Sequence, residues 1–324
     1  MKICIVKTSS IGDISHSAFL PEIIRMHMPH AVIHWYCDKT FQDILQENTF
    51  ITKVHTVISK GASNKKWQFF KQLMQIRRNA KDERYDIVID LQGSFKSSLI
   101  AKALCVNNHL WGFKHTRDSF ANKLYNYHSH IPLHTNIYRR NLQLVNDALE
   151  MQGRLCEVTI PYLYTRTSGD IENLSQIKEK TKSKPHILIF PSSSTEKKNY
   201  SEVNWQSLIS DLNNYNVTLL YGNAQEKDLC NEIAKNRGRV HIVGNLTLEN
   251  IKGLLTRMDC VIGADTGILH MASALGVPNI TLYGPTPSYR TWINAPYSIP
   301  LQGNGNVNSI PAREILQSLI FLNI

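Results

Sequence analysis

This chain lacks the features by which membrane-spanning and secreted proteins are recognised. Its 324 residues contain no apolar run near the roughly 20 residues that a membrane-spanning helix needs. Residues 1–7 form a short strand-like run, without the long apolar core and cleavage site of a signal peptide. We therefore expect the protein to stay in the cytoplasm.

The chain is equally short of motifs for metals and disulfides. Its 6 cysteines are scattered with no CxxC pair, and its 13 histidines form no HExxH motif. This pattern is typical of reduced, mostly buried thiols in a cytosolic protein. We assign no metal ligands and no cofactor.

Acidic residues are fewer than basic ones, with 26 against 36 and a formal net charge of +10. A cationic surface attracts nucleic acid, an anionic membrane or a phosphorylated substrate. The basic residues are dispersed and no RNP or zinc-finger signature is present, so we expect no nucleic-acid partner.

The stretch 261–286, VIGADTGILHMASALGVPNITLYGPT, has the pattern of a strand, a helix and a second strand. Its middle part carries apolar residues at helical spacing from Ile268 to Leu275. Gly276 suits the left-handed position after a helix, and Pro278 prevents the helix from continuing. We predict one βαβ unit here.

The start of that helix is a candidate anion site. Asp265 and Thr266 are N-cap residue types, and Gly267 removes side-chain bulk. The free N–H groups and the positive end of the helix dipole would favour a phosphate. An ordinary capped helix is the alternative interpretation of the same residues.

Strand and helix patterns alternate along the rest of the chain, which predicts an α/β fold with two Rossmann-like domains. The polar segment 165–184 separates them, giving domains 1–164 and 165–324. The last helix, 311–322, packs either on the second domain or back on the first. Loops at 8–13 and 191–195 follow predicted strands and therefore lie at the ligand edge of each sheet.

Asp13 and a basic helix at 65–80 can each be interpreted in purely structural terms. Asp13, at the start of a helix, is also a residue type that caps helices. The apolar stripe of a basic helix at 65–80, containing Trp67, Phe70, Leu73 and Met74, predicts packing in the core. Contact with a membrane surface is the alternative for this helix.

Four blocks in order carry a resemblance to a known family. They are IVKTSSIGD at 5–13, VIDLQGSFKSS at 88–98, KNYSEVNW at 198–205 and GADTGILHMASALGVPNITLYGPT at 263–286. With them the chain resembles the lipopolysaccharide heptosyltransferases of glycosyltransferase family 9, and among these the heptosyltransferase I group.

The resemblance implies a GT-B architecture, in which two Rossmann-like domains face each other across a cleft. The N-terminal domain would bind the acceptor and the C-terminal domain the donor. The implied reaction moves L-glycero-D-manno-heptose, with inversion, from ADP-L-glycero-β-D-manno-heptose onto a Kdo residue of Kdo-lipid A. The implied location is the inner face of the cytoplasmic membrane, with the protein bound peripherally to its anionic surface.

The resemblance also implies roles for particular residues. Asp13 matches the general base, Lys198 the lysine beside the diphosphate, and Arg117 an arginine of the acceptor side. The implied donor-binding residues are Ser193, Ser194, Glu226, Leu246, Asp265, Thr266, Gly267 and His270. Among these, Glu226 would contact the ribose and Leu246 would pack near the adenine.

The chain departs from the family pattern at Ser15 and in KKNYS at 197–201, so Lys197 is a second candidate for the lysine's role. Two alternatives to the implied function stay open. One is transfer of a second heptose or another sugar by the same family. The other is nucleotide binding without catalysis.

Overall fold

The computed structural model describes residues 1–58, 65–116, 118–153, 184–193 and 195–324. The chain divides into two compact units, Met1–Leu163 and Tyr164–Ile324. Each unit is built around its own parallel β-sheet.

The first unit contains a six-stranded sheet in the order β3-β2-β1-β4-β5-β6. Its strands are β1 Lys2–Val6, β2 Val32–Asp38, β3 Lys53–Val57, β4 Ile87–Asp90, β5 Leu110–Phe113 and β6 Tyr127–Ser129. All neighbouring strands are parallel, and Ile5 of β1 lies beside Trp35 and Ile89 in the flanking strands. The central strands are buried apolar runs, as expected for a parallel sheet that is covered on both faces.

Helices connect these strands. Their bounds are Ile11–Ser15, Leu20–His27, Gln42–Leu45, Lys65–Glu83, Phe95–Leu104, Ser119–Asn122 and Ile137–Leu149. Pro21 lies in the first turn of Leu20–His27, where a missing N–H breaks no helical hydrogen bond, so the chain begins a new helix there.

The helix Lys65–Glu83 packs in the core through a different face from the predicted one, so that prediction is wrong. Trp67, Phe70 and Met74 are exposed, at 63%, 50% and 43%. The helix instead packs through Ile76 and Ala80, with Phe69 and Leu73 against the same cluster. These four positions recur at helical spacing, so the helix is rotated by about one residue (roughly 100°) from the predicted orientation.

The second unit repeats the architecture with the strand order β12-β11-β10-β7-β8-β9. Its strands are β7 His186–Phe190, β8 Asn216–Tyr221, β9 Val240–Gly244, β10 Cys260–Ala264, β11 Asn279–Tyr283 and β12 Ser298–Gln302. After β7 the chain first builds the sheet in one direction, through β8 and β9. It then returns to the other side of β7 with β10. The carboxyl ends of β7 and β10 therefore form a topological switch point, where ligands bind in open α/β sheets.

The helices of the second unit are Glu202–Asp211, Ala224–Ala234, Leu248–Leu255, Gly267–Ala274 and Ala312–Phe321. The last of them buries Ile315 and Leu319 in the same apolar cluster as Trp205. The C-terminal helix thus completes the core of the second unit.

The two parallel sheets and their helices confirm the predicted α/β fold. Three strands, β5, β6 and β12, were not predicted. Gly112 interrupts the apolar pattern of β5, and β6 has only 3 residues. β12 contains Pro300, which a strand accepts only at the edge of a sheet, the position that β12 occupies.

The described cysteines are confirmed as free and buried. Cys156 lies outside the described residues. No helix in the described part of the chain is both long and apolar enough to cross a membrane.

Candidate active site

The switch point of the second sheet brings two predicted site segments together. The first follows β7 and ends in the short 3-10 turn Glu196–Lys198. The second follows β10 and consists of Asp265 and Thr266, directly before the helix Gly267–Ala274. Because β7 and β10 are hydrogen-bonded neighbours, both segments lie at the same edge of the sheet.

Lys198, Asp265 and His270 form one hydrogen-bonded cluster there. The Lys198 ammonium donates to Asp265 Oδ2 at 2.5 Å and approaches the Asp265 carbonyl oxygen at 3.4 Å. Asp265 Oδ1 lies 3.0 Å from His270 Nε2. The Thr291 hydroxyl donates to the same oxygen at 3.3 Å. The Asp265 carboxylate thus fixes one cation and one imidazole at the start of a helix.

The Asp265 carboxyl is buried, which by itself would raise its pKa. The hydrogen bond and the charge of His270, and then those of Lys198, outweigh burial and hold the pKa well below its ordinary value. Asp265 is therefore a carboxylate over the whole physiological range of pH.

The N-cap of the helix Gly267–Ala274 is Thr266, one of the two residues predicted for that position. Asp265, the other, turns its side chain to Lys198 and His270 instead of capping the helix. The Thr266 hydroxyl makes no capping bond, and its buried oxygen has no hydrogen-bond partner among the described residues. The first N–H groups of this helix and one hydroxyl are thus available to an anion. Gly276 follows the helix with φ +70°, which confirms the predicted left-handed position.

Glu226 lies in the first turn of the helix Ala224–Ala234, which follows the neighbouring strand β8. Its Oε1 accepts a hydrogen bond from the Ser192 hydroxyl at 3.1 Å, and its Oε2 accepts one from the Gly222 backbone at 2.6 Å. Asn223 caps the helix Ala224–Ala234, and its side chain accepts a bond from the Glu226 backbone. These contacts hold the Glu226 carboxylate beside the loop that follows β7.

The other predicted donor residues are less well connected. The Ser193 hydroxyl bonds within its own loop, donating to the Thr195 carbonyl at 2.8 Å. Leu246 follows β9 and is half-buried. Ser194 lies outside the described residues.

Asp13 of the first unit belongs to the short helix Ile11–Ser15, at the carboxyl end of β1. Its Oδ2 accepts bonds from the backbone and the hydroxyl of Ser10, at 3.1 and 3.2 Å. Its Oδ1 lies 3.9 Å from the Lys7 ammonium, and the side chain is 41% exposed. One carboxylate oxygen thus serves the local structure, while the exposed fraction leaves the group accessible.

Two further residues support the loop around Asp13. Lys7 is buried and its ammonium donates to the Leu91 carbonyl at 2.9 Å. The Gln92 side chain accepts from the backbone N–H groups of Thr8 and Ser9, each at 3.2 Å. The loops after β1 and β4 are therefore tied together at the carboxyl edge of the first sheet.

Asp90 fixes the second of these loops. Its carboxylate accepts bonds from the Gln92 backbone at 2.9 Å, the Ser97 hydroxyl at 2.9 Å and the Tyr125 hydroxyl at 2.8 Å. Complete burial raises the pKa of Asp90, and these hydrogen bonds only partly oppose the rise. Asp90 positions Gln92 and so acts on the loop indirectly.

Sequence reasoning did not assign Lys7, Asp90 or Thr291. A charged residue that ends a buried strand was the available signal for Lys7 and Asp90. Thr291 comes from a loop far along the chain from Asp265, and no local pattern marks it. Arg117, the predicted acceptor residue, lies outside the described residues.

The sequence of this chain matches a known family. Residues 73–317 match the model of glycosyltransferase family 9 (heptosyltransferase). The lipopolysaccharide heptosyltransferase 1 of Campylobacter coli is 30% identical over 299 residues, covering 90% of this chain and 86% of the relative.

Two solved structures of the Escherichia coli heptosyltransferase WaaC share the fold. The structure with ADP has a TM-score of 0.77 at 23% identity and covers 99% of this chain and 100% of that chain. The structure with ADP-2-deoxy-2-fluoro heptose has a TM-score of 0.72 at 23% identity and covers 100% of both chains. The likeness confirms the predicted GT-B fold class. Because the family model matches most of this chain, the chain belongs to glycosyltransferase family 9, the heptosyltransferases.

Proposed function

We propose that this glycosyltransferase transfers L-glycero-D-manno-heptose from ADP-L-glycero-β-D-manno-heptose to a Kdo residue of Kdo-lipid A, in synthesis of the lipopolysaccharide inner core. The observation that carries the proposal is the cluster of Lys198, Asp265 and His270 at the start of the helix Gly267–Ala274. The name of the Campylobacter coli relative and the ligand of the second WaaC structure support the same donor and product class.

The donor diphosphate would bind at the helix start. The first N–H groups of the helix and its dipole favour negative charge there. The Thr266 hydroxyl, which has no partner in the described part of the chain, would donate to a phosphate oxygen. The Lys198 ammonium, already oriented by Asp265, would offset the charge that develops on the departing ADP. Glu226 would accept hydrogen bonds from the ribose hydroxyls, and Ser193, Ser194 and Leu246 would line the remainder of the nucleotide site.

Asp13 would act as the general base for the acceptor hydroxyl. The oxygen of that hydroxyl forms a bond to the anomeric carbon of the heptose while the bond from that carbon to the diphosphate oxygen breaks. The acceptor proton passes to the Asp13 carboxylate, and the electron pair of the broken bond leaves with ADP. A single displacement of this kind inverts the anomeric configuration. Arg117 would pair with a carboxylate or phosphate of the acceptor.

The direct test measures ADP release from ADP-heptose by the purified full chain, with and without Kdo-lipid A. We expect ADP release that depends on the acceptor, and a product heavier by one heptose. Lipid A without Kdo is the matched control and should give no product. Acceptor-dependent transfer to an already heptosylated acceptor, with none to Kdo-lipid A, would contradict the proposed acceptor. ADP binding without turnover on either acceptor would contradict the proposed reaction.

We further propose that the helix Lys65–Glu83 contacts the anionic inner face of the cytoplasmic membrane, where the acceptor lipid is inserted. Trp67 and Phe70 stack on each other with ring centroids 5.8 Å apart and are both exposed. The Lys71 ammonium lies 5.7 Å from the centroid of the Trp67 ring. Exposed aromatic rings next to cations suit the interface between lipid headgroups and acyl chains. Basic residues near an anionic leaflet contribute about 1 kcal/mol each, which gives reversible, peripheral binding.

A further inference from the structure

Three side chains that are distant in sequence meet in the first unit. His34 lies on β2, His55 on the neighbouring strand β3, and Glu83 is the last residue of the helix Lys65–Glu83. One ligand atom from each lies within 4.8 Å of the others, and this is the one such group of His, Cys, Asp and Glu side chains in the described part of the chain. No sequence motif predicts this group, because only the fold brings the three residues together.

The separations suit a transition-metal ion. His55 Nε2 lies 3.1 Å from His34 Nδ1, and Glu83 Oε2 lies 3.8 Å from the same nitrogen. Imidazole nitrogens and carboxylate oxygens bind zinc at about 2.0 to 2.2 Å, which places two tetrahedral ligand atoms about 3.4 Å apart. These two distances lie on either side of that value, and the remaining pair of ligand atoms lies within 4.8 Å, so side-chain movements would complete the geometry.

Hydrogen bonding alone does not account for the arrangement. His34 Nδ1 is also 2.8 Å from the Tyr85 hydroxyl, so two polar groups, this hydroxyl and His55 Nε2, lie within hydrogen-bond distance of the same nitrogen. A neutral imidazole nitrogen offers one proton or one lone pair and cannot fully satisfy both partners at once. A cation bound between His34, His55 and Glu83 would accept one lone pair from each of them at the same time.

Two ammonium groups compete with a metal for the carboxylate. Lys2 Nζ forms an ion pair with Glu83 Oε2, and Lys53 Nζ lies 3.9 Å from Glu83 Oε1. A divalent ion would displace the Lys2 ammonium, which makes the affinity of the site depend on Lys2.

From this juxtaposition we propose that His34, His55 and Glu83 form a binding site for a divalent transition-metal ion of the zinc class. The ion would join β2 and β3 to the carboxyl end of the helix Lys65–Glu83. The fourth position would be open to water, since Glu83 and His55 are only partly buried. The site shares no residue with the proposed donor site or with the proposed general base.

The test titrates the metal-free full chain with Co²⁺ and then with Zn²⁺. We expect a saturable Co²⁺ absorption band with one ion per chain, and displacement of that ion by Zn²⁺. His55→Gln and Glu83→Gln should each weaken binding by at least about tenfold, a change of the size seen when groups around a metal are removed. His241→Gln is the matched control, because His241 is exposed on β9 of the second unit, and it should leave the titration unchanged.

Lys2→Met separates a metal site from a purely structural cluster. Removing the competing ammonium should tighten Zn²⁺ binding by about tenfold, whereas an ordinary structural defect would not improve it. This variant also decides the matter if either ligand variant fails to fold. The proposal is overturned if the folded chain shows no saturable Co²⁺ or Zn²⁺ binding. It is equally overturned if binding is the same in wild type, both ligand variants and Lys2→Met.

Discussion

Lys198 Nζ and Asp265 Oδ2 lie 2.5 Å apart although the two residues are separated by 67 positions in the sequence. The contact joins the loop after β7 to the start of the helix that follows β10. Because Asp265 is buried while a quarter of the Lys198 side chain is exposed, the carboxylate holds the ammonium at the edge of the protein. The cation is thus oriented before any diphosphate binds, and its orientation requires no further ordering of the side chain.

Lys198→Met should weaken the use of ADP-heptose. A charge-assisted hydrogen bond contributes about 1.5 to 3 kcal/mol, which corresponds to a loss of about 10-fold to 100-fold in kcat/KM. The measurement is ADP release at varied donor concentration. Lys197→Met is the matched control, since Lys197 is the exposed neighbour in the same turn. An equal loss in both variants would mean that the two lysines share the role, and no loss at Lys198 would contradict it.

Asp265→Asn should reduce stability in a manner that depends on pH. The pKa of Asp265 is depressed, because the contacts with His270 and Lys198 outweigh burial. The carboxylate therefore contributes its full stabilisation at pH values above the pKa of an unfolded aspartate, about 3.9. This stabilisation is lost as the pH falls from there towards the lower pKa of Asp265 in the folded chain. We expect the variant to lose about 2 kcal/mol at pH 7.

Urea denaturation of wild type and Asp265→Asn at pH 7, 5 and 3.5 measures this pH dependence. The difference between their unfolding free energies should be constant between pH 7 and 5 and should become smaller only at pH 3.5. A difference that disappeared between pH 7 and 5 would point to the titration of another group.

Asp13→Asn should abolish most turnover and leave donor binding intact. An asparagine oxygen can still accept the Ser10 N–H bond, so the variant removes the base without removing the local structure. Loss of a general base costs about 10²-fold to 10⁴-fold in rate. Asp43→Asn, which removes a carboxylate from the first turn of the helix Gln42–Leu45, is the control and should keep full activity. Equal activity of Asp13→Asn and wild type would exclude Asp13 as the base.

Gly263→Ala should destabilise the second unit. A Cβ at Gly263 would lie 2.7 Å from the Phe190 carbonyl oxygen and 2.7 Å from a methyl of Leu269, so β10 would have to move away from β7 or from the helix. We expect a loss of about 1 to 3 kcal/mol, as for other overpacked sites. Gly238→Ala is the control, because a Cβ there meets nothing within 4 Å. Chemical denaturation of both variants measures the difference, and equal stability would contradict the close packing.

Much of the second unit could be predicted from local patterns. The stretch 261–286 combines a buried strand, helical spacing, a left-handed glycine and a second strand, and each of these signals is local in the chain. The cluster at its centre was predictable only as candidate residues. Its hydrogen bonds depend on β7 and β10 being neighbours, a pairing that sequence periodicity does not specify.

Two other features required the fold itself. The buried face of the helix Lys65–Glu83 contains Phe69 and Ile76, whereas Trp67, Phe70 and Met74 favoured the wrong face in the sequence. Size and apolarity predict burial on average, but a helix with apolar residues on more than one face has no unique orientation. The group of His34, His55 and Glu83 depends on strand register and has no signal in the sequence.

The exposed aromatic pair on this helix leads to the last prediction. Trp67→Ser combined with Phe70→Ser should weaken binding to vesicles that contain anionic lipid, because both rings are exposed and would insert at the headgroup level. We expect a loss of at least about tenfold in the partition coefficient, given roughly 1.5 to 3 kcal/mol for each large apolar side chain that is buried. Val203→Ser is the control, since Val203 is exposed in the second unit. Wild-type binding should fall as salt rises, because the basic residues of the helix attract the anionic surface. Binding that is unaffected by salt, by lipid charge and by the double substitution would show that this helix does not contact the membrane.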